Sequence, residues 1–247
     1  MIKMMKKMLI ALSALVLISA GASAQINKSV GGTVAQPSPL AIPAACSPCL
    51  WYSGDTDASN PNWEGLANYI NSTYAIDAEV WVPFIAASDG NPAHKLVLVS
   101  SITFNEIMTN PPTDMTGMTY AFRTGVSSGN GGTLKQNNTC TTTSAVATGM
   151  TPGGYTEYAF TCYPKKFAVK IPVGTIYWVN ILPTFTSSYN VFLDDAIDVP
   201  GLNQFGWSDD FYNSFFNSPY FGDNFAPATS IGSGAQEFSV SIAGTYE

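Results

Sequence analysis

Gly125-Val126-Ser127-Ser128-Gly129 has the G-x-S-x-G spacing of a nucleophile elbow. In such an elbow a sharp strand-to-helix turn presents the serine, and a histidine further along the chain takes its proton. The single histidine of this chain, His94, lies upstream, and the residues after Gly129, NGGTLKQ, read as a turn and a short strand. A Ser-His-Asp triad therefore fails on inventory. His94, in GNPAHK, reads as a solvated loop residue, and a metal site built on several histidines is excluded.

The acidic residues carry more chemistry. Asp55, Asp57, Asn60 and Asn62 fall within GDTDASNPNWEG. A hard cation such as calcium takes several carboxylate, amide and carbonyl oxygens, so these four are the candidate metal ligands and calcium is the one candidate cofactor. An EF-hand does not fit: the sixth loop position is Asn60 rather than Gly and the twelfth is Leu66 rather than Glu. The competing reading is a network of Asx turns, in which these side chains cap their own backbone. Asp194, Asp195 and Asp198 form a second acidic cluster, either a cation loop or a solvated turn. Glycoside hydrolysis needs two carboxylates flanking one bond. Glu64, Glu79, Glu106, Glu157 and Glu237 are acidic, but no spacing singles out a pair. No catalytic residue is assigned, and a non-enzymatic role is the expectation.

Four cysteines, Cys46, Cys49, Cys140 and Cys162, allow three disulfide pairings. Cys140 and Cys162 lie symmetrically about Thr151 in the turn sequence GMTPGGY, so a hairpin there brings them face to face. Cys46 and Cys49 then pair within CSPC. A redox C-x-x-C needs a helix N-terminus in a βαβ setting. This one follows a Pro-rich stretch and precedes LWYSGD, so it reads as a small structural loop. A four-cysteine zinc site is disfavoured because only one pair has C-x-x-C spacing.

Seven of the fifteen residues in FYNSFFNSPYFGDNF, Phe211 to Phe225, are aromatic, which makes the segment either a ligand platform or an internal plug. Large rings are usually buried, so the phenylalanines are assigned to a folded-back loop that plugs the core. Tyr212 and Tyr220 are assigned outward. With Trp207 and Trp63 they form the candidate ligand-binding set, and Trp51 and Tyr52 are further available rings.

The elements that must position these residues are strands. Runs rich in Val, Ile, Thr and aromatics, separated by Gly, Pro, Asn and Asp, predict strands over 78–86, 95–104, 118–124, 139–147, 155–163, 166–171, 175–182, 189–193 and 236–244. WEGLANY, 63–69, is the best short helix. No fixed-period repeat is present. The expectation is an all-β single domain, a two-sheet sandwich or jelly roll, with a barrel as the structural alternative.

Lys3, Lys6 and Lys7, an apolar run from Leu9 to Ala20, and Ala22-Ser23-Ala24 predict a secretory signal peptide over 1–24. The apolar run is shorter than a membrane span needs, so no membrane association is expected after cleavage. Residues 25–45, with Pro37, Pro39 and Pro43, read as a flexible linker, and the folded domain is placed at 46–247. After leader removal seven basic and seventeen acidic residues remain, about −10 in formal charge, with one arginine, Arg123. Such a chain cannot neutralise phosphates, which excludes nucleic acid as a partner. The expected location is secreted, extracellular or periplasmic.

Several stretches together carry a resemblance. LWYSGDTDASNPNWEGLAN, TGVSSGNGGTL (124–134), GTIYWVNILP (174–183) and NSFFNSPYFGDNFAP (213–227) resemble, in the same order, segments of a group of secreted proteins from environmental bacteria, notably acidobacteria. Tyr220 and Asp223 stand where that group has Phe and Ala. The resemblance implies a secreted β-sandwich, places GVSSG in a turn between strands, and implies no activity. The resulting expectation is a non-catalytic module that binds a polysaccharide or another cell-surface component. A structural or adhesive matrix or filament subunit is the alternative.

Overall fold

The computed structural model describes residues 25–27, 46–54, 64–86, 88–165, 168–187, 191–194, 213–231 and 238–247. Its strands, in chain order, begin with β1 (Gln25–Asn27), β2 (Cys49–Tyr52), β3 (Glu64–Ala67), β4 (Tyr69–Asn71), β5 (Ile76–Ile85) and β6 (Leu96–Met108). They continue with β7 (Met115–Thr124), β8 (Thr133–Thr139), β9 (Thr142–Ala147), β10 (Thr156–Tyr163) and β11 (Lys170–Pro172). The last are β12 (Ile176–Phe185), β13 (Val191–Asp194), β14 (Phe215–Ser218), β15 (Asp223–Pro227) and β16 (Val240–Tyr246). They form two sheets of nine and seven strands, the expected all-β sandwich.

Alternation explains the strands. In β5, Ile76, Ala78, Val80, Val82 and Phe84 point into the main core, while Asp77, Glu79 and Pro83 project from the other face and stay half-buried. The first sheet is organised on β6. One edge of β6 pairs with β16 from Val97 to Phe104 and then with β13 from Glu106 to Met108. The other edge pairs with β11 from Leu96 to Leu98 and with β10 from Ile102 to Met108. β2 extends the sheet from β16, β3 and β1 extend it from β13, and β9 closes it on β10. The second sheet runs β15-β14-β5-β4-β12-β7-β8. Phe104, Phe160 and Phe238 meet Tyr120, Phe122, Phe185 and Phe216 between the sheets, all fully buried.

The chain passes between the sheets repeatedly, and the shortest passages, at Asn68 and at Cys140-Thr141, revise expectations. The described residues of WEGLANY form no helix: Glu64–Ala67 pairs with β13 in the first sheet and Tyr69–Asn71 with β5 in the second, with Asn68 alone between them. So short a helix has little stability of its own, and main-chain pairing on both sides outweighs it. The strand expected over 139–147 is two strands, β8 in the second sheet and β9 in the first, divided at Cys140 and Thr141. The first residues of the expected linker, Gln25–Asn27, pair with β3.

Both expected disulfides are present, Cys46–Cys49 and Cys140–Cys162, but the second has a different geometric basis. The register of β9 on β10 sets Thr143, not Cys140, opposite Cys162. Cys140 lies before β9, where its N–H still donates to Met118 of β7 at 2.9 Å. The bridge therefore ties the departure point from the second sheet to β10 of the first. Both half-cystines are buried.

Candidate functional site

The described part of the aromatic segment, from Asn213 on, is a β-hairpin, not a loop; Phe211 lies outside the described residues. β14 pairs with β5, setting Phe215 beside Trp81, Phe216 beside Val80 and Asn217 beside Glu79, and β15 returns along its outer edge. The adjacent rings divide by pleat: Phe216 enters the main core and Phe215 the opposite face. That opposite face holds a second apolar cluster of Trp81, Ala121, Val126, Trp178, Phe215 and Phe225. The Trp178 indole N–H donates to the Asn213 carbonyl at 3.0 Å.

Arg123 sits over this cluster, its guanidinium carbon 4.8 Å from the Trp81 ring centre and 5.2 Å from that of Phe225. Its Nη1 donates to the Gly131 carbonyl at 3.0 Å. A guanidinium stacked on ring faces keeps its charge while covering apolar surface. Beside it, Glu79 Oε2 accepts from the Trp81 indole at 2.9 Å and from Asn217 Nδ2 at 3.1 Å. Burial raises the Glu79 pKa; Trp81, Asn217 and Arg123 oppose that rise and Asp77 adds to it.

The GNGG turn explains its glycines here. A Cβ on Gly131 would lie 2.5 Å from the Phe225 ring, and one on Gly132, at φ +61°, 2.2 Å from the Thr124 carbonyl oxygen. Phe225 itself takes φ 44°, held by Gly129 N–H donating to its carbonyl at 3.2 Å and by Asn224 Nδ2 donating to Gly129 at 3.2 Å. Turn and hairpin thus lock one another. Ser127, of the G-x-S-x-G pattern, is exposed and bridges Asn130 within this turn, so no elbow is formed.

At the hairpin tip, Gly222 N–H donates to the Ser218 carbonyl at 2.9 Å, and the Ser218 hydroxyl donates to the Asp77 carbonyl at 2.5 Å. Tyr220 is 37 % exposed, with its ring perpendicular to that of Phe221 at 4.9 Å. Phe221 packs on the main core and anchors the tyrosine. Asp223 and Asn224 follow in the chain, the first half-buried and the second exposed. Trp51 and Tyr52 are not available as platform rings: both are buried in β2, and Trp51 meets Phe84 edge-on at 6.0 Å.

A buried polar group between the sheets was not foreseen. β5 and β12 pair from Val82 to Ile85 and then separate to admit β4. Asn68 fills the split. Its Nδ2 donates to Glu106 Oε1 at 2.8 Å and to the Ile181 carbonyl at 2.9 Å. Its Oδ1 accepts from Val80 N–H at 3.0 Å and from Asn180 Nδ2 at 2.8 Å. Asn180 also donates to the Val80 carbonyl at 2.9 Å. Glu106 is fully buried, and burial pushes its pKa well above the ordinary value, against the pull of the Asn68 hydrogen bond. The available signal was an asparagine inside each of two apolar runs, GLANYI and YWVNIL.

Of the ligand-binding set, Tyr220 is exposed at the hairpin tip, while Tyr212, Trp207 and Trp63 lie outside the described residues, as do Asp55, Asp57, Asn60 and Asn62. Asp194 ends β13 and is buried, so it is not part of a solvated turn; Asp195 and Asp198 lie outside the described residues. Among the described residues no three His, Cys, Asp or Glu side chains group around a common point. Glu106 and Glu157 occupy β6 and β10 with Glu157 opposite Ile107, so they project from opposite faces of one sheet and do not flank one bond. His94 lies in a loop, its Nδ1 2.7 Å from Asp89 Oδ2 and its ring stacked on Tyr246 at 6.0 Å. Among the described residues no helix is long and apolar enough to cross a membrane.

No family model, curated protein or solved structure matches the chain.

Proposed function

We propose that the chain is a secreted, non-catalytic β-sandwich that binds a polysaccharide or another cell-surface component through the tip of the β14–β15 hairpin. The observation that carries this reading is Tyr220: a partly exposed ring packed perpendicular to Phe221, at a hairpin tip whose returning strand begins with Asp223 and Asn224. Sugars present C–H faces and hydroxyls together, and an exposed tyrosine ring with its hydroxyl can meet both. Two disulfides fit an oxidising, extracellular-type environment. Calcium, held by Asp55, Asp57, Asn60 and Asn62, belongs to the same proposal as an accessory ion.

The test is affinity electrophoresis or pull-down against a panel of polysaccharides. Tyr220→Ala should weaken binding about tenfold or more while leaving the melting temperature unchanged. Retention of full affinity by Tyr220→Ala, or no binding to any polysaccharide or cell-wall preparation, would sink the idea. A structural or adhesive subunit is the second reading, favoured by the edge of β9 in the first sheet, which no strand covers among the described residues.

A further inference from the structure

A strand at a sheet edge offers a row of unpaired N–H and C=O groups, and folded chains blunt such edges with charges, prolines, bulges or short length. The other described edges here follow that rule. β8 carries Lys135 at a register break against β7. β15 has Asp223, Pro227 and a register break. β1 and β11 are three residues long, and β11 holds Lys170 and Pro172. β2 is four residues long, begins at a half-cystine and breaks register against β16.

β9 has none of these features. Thr142–Ala147 pairs with β10 without a break, contains no charge and no proline, and leaves Val146 61 % exposed. Thr148 N–H donates to the Glu157 carbonyl at 3.1 Å, which sets the alternation along this ladder. Ser144 and Val146 thus bond to β10, while the N–H and C=O groups of Thr143, Ala145 and Ala147 point away from the sheet.

We propose that two copies of this chain associate through β9, antiparallel about a two-fold axis at Ala145, so that the first sheet runs continuously across the dimer. Ala145 then opposes its own copy, Thr143 opposes Ala147, and the exposed Val146 packs beside Ser144 of the other strand. A second copy is the occupant because the edge is self-compatible. The chain freed of its leader carries a formal charge of about −10 and would repel itself at most approaches, yet this strand places no charge at the contact. A charged peptide would find no counter-charge on this strand. The inference deepens the structural-subunit reading and does not depend on sugar binding at Tyr220.

The experiment is sedimentation velocity on the full chain freed of its leader, across concentration, for the native protein and two variants. Ala145→Pro removes an outward N–H and leaves the β10 ladder intact. Val146→Glu sets like charges on both sides of the axis. The native chain should show a concentration-dependent dimer, and each variant should raise its dissociation constant roughly tenfold or more with an unchanged melting temperature. Hydrogen exchange at Thr143, Ala145 and Ala147 should slow as concentration rises. A strict monomer at millimolar concentration, or a dimer that Val146→Glu leaves intact, overturns the proposal; the first outcome also counts against the structural-subunit reading, the second only against this edge.

Discussion

Asn68 uses every hydrogen-bonding capacity of its amide, two donated and two accepted, at a point where the backbone ladder between β5 and β12 is interrupted. It replaces a stretch of main-chain pairing with a side chain. Asn68→Ala leaves the Val80 N–H, the Ile181 carbonyl and the Glu106 carboxyl without that partner, and is expected to destabilise the fold by about 3 kcal/mol in urea titration. Glu106 gives a matching pH signature. Its pKa is raised from the usual 4.5, so the folded chain holds this proton more tightly than the unfolded one. The stability it contributes is present below the ordinary carboxylate value and is lost as pH rises through the elevated folded value. Urea midpoints of Glu106→Gln between about pH 5 and pH 9 should fall less steeply than those of the native chain; identical slopes would show that Glu106 is not the titrating group.

The crossings between sheets define the elements, and a disulfide secures one of them. Cys140–Cys162 closes a sequence separation of 22 and joins the end of β8 to β10. Replacing both cysteines by Ser should cost about 3 kcal/mol, whereas replacing Cys46 and Cys49, separated by 3, should cost markedly less. Thermal melts of the two double variants measure the difference, and equal losses would contradict the assignment. Most strands were legible because Val, Ile, Thr and aromatic runs alternate between punctuation residues. The crossings were not. One residue, Asn68, separates strands of different sheets, and local pattern cannot register a change of sheet. Neither could alternation reveal that the outward face of the second sheet is itself buried: Trp81 and Trp178 sit at positions that period-2 reading assigns to solvent. Tyr220 was legible as outward because adjacent rings send one member in and the other out, whereas its packing on Phe221 is tertiary.

Taken whole, the molecule is two sheets between which the chain passes repeatedly, with apolar clusters between them and on the outside of the second. Proton binding acts at both ends of the pH scale. Burial and Tyr220 raise the Tyr69 hydroxyl to about 12, so the stability it contributes is kept below its ordinary pKa of 10.0 and lost as pH rises toward the folded value. The organisation of the first sheet on β6 also has a consequence in time. Residues 97–104 of β6 find their partner in β16, far along the chain and beyond β7 to β15. A growing polypeptide that has made β6 must therefore carry an apolar strand with one half-edge empty until β16 has been made. Pairings this distant in sequence form slowly. The arrival of β16, rather than the synthesis of β6 itself, is the event that lets this sheet close.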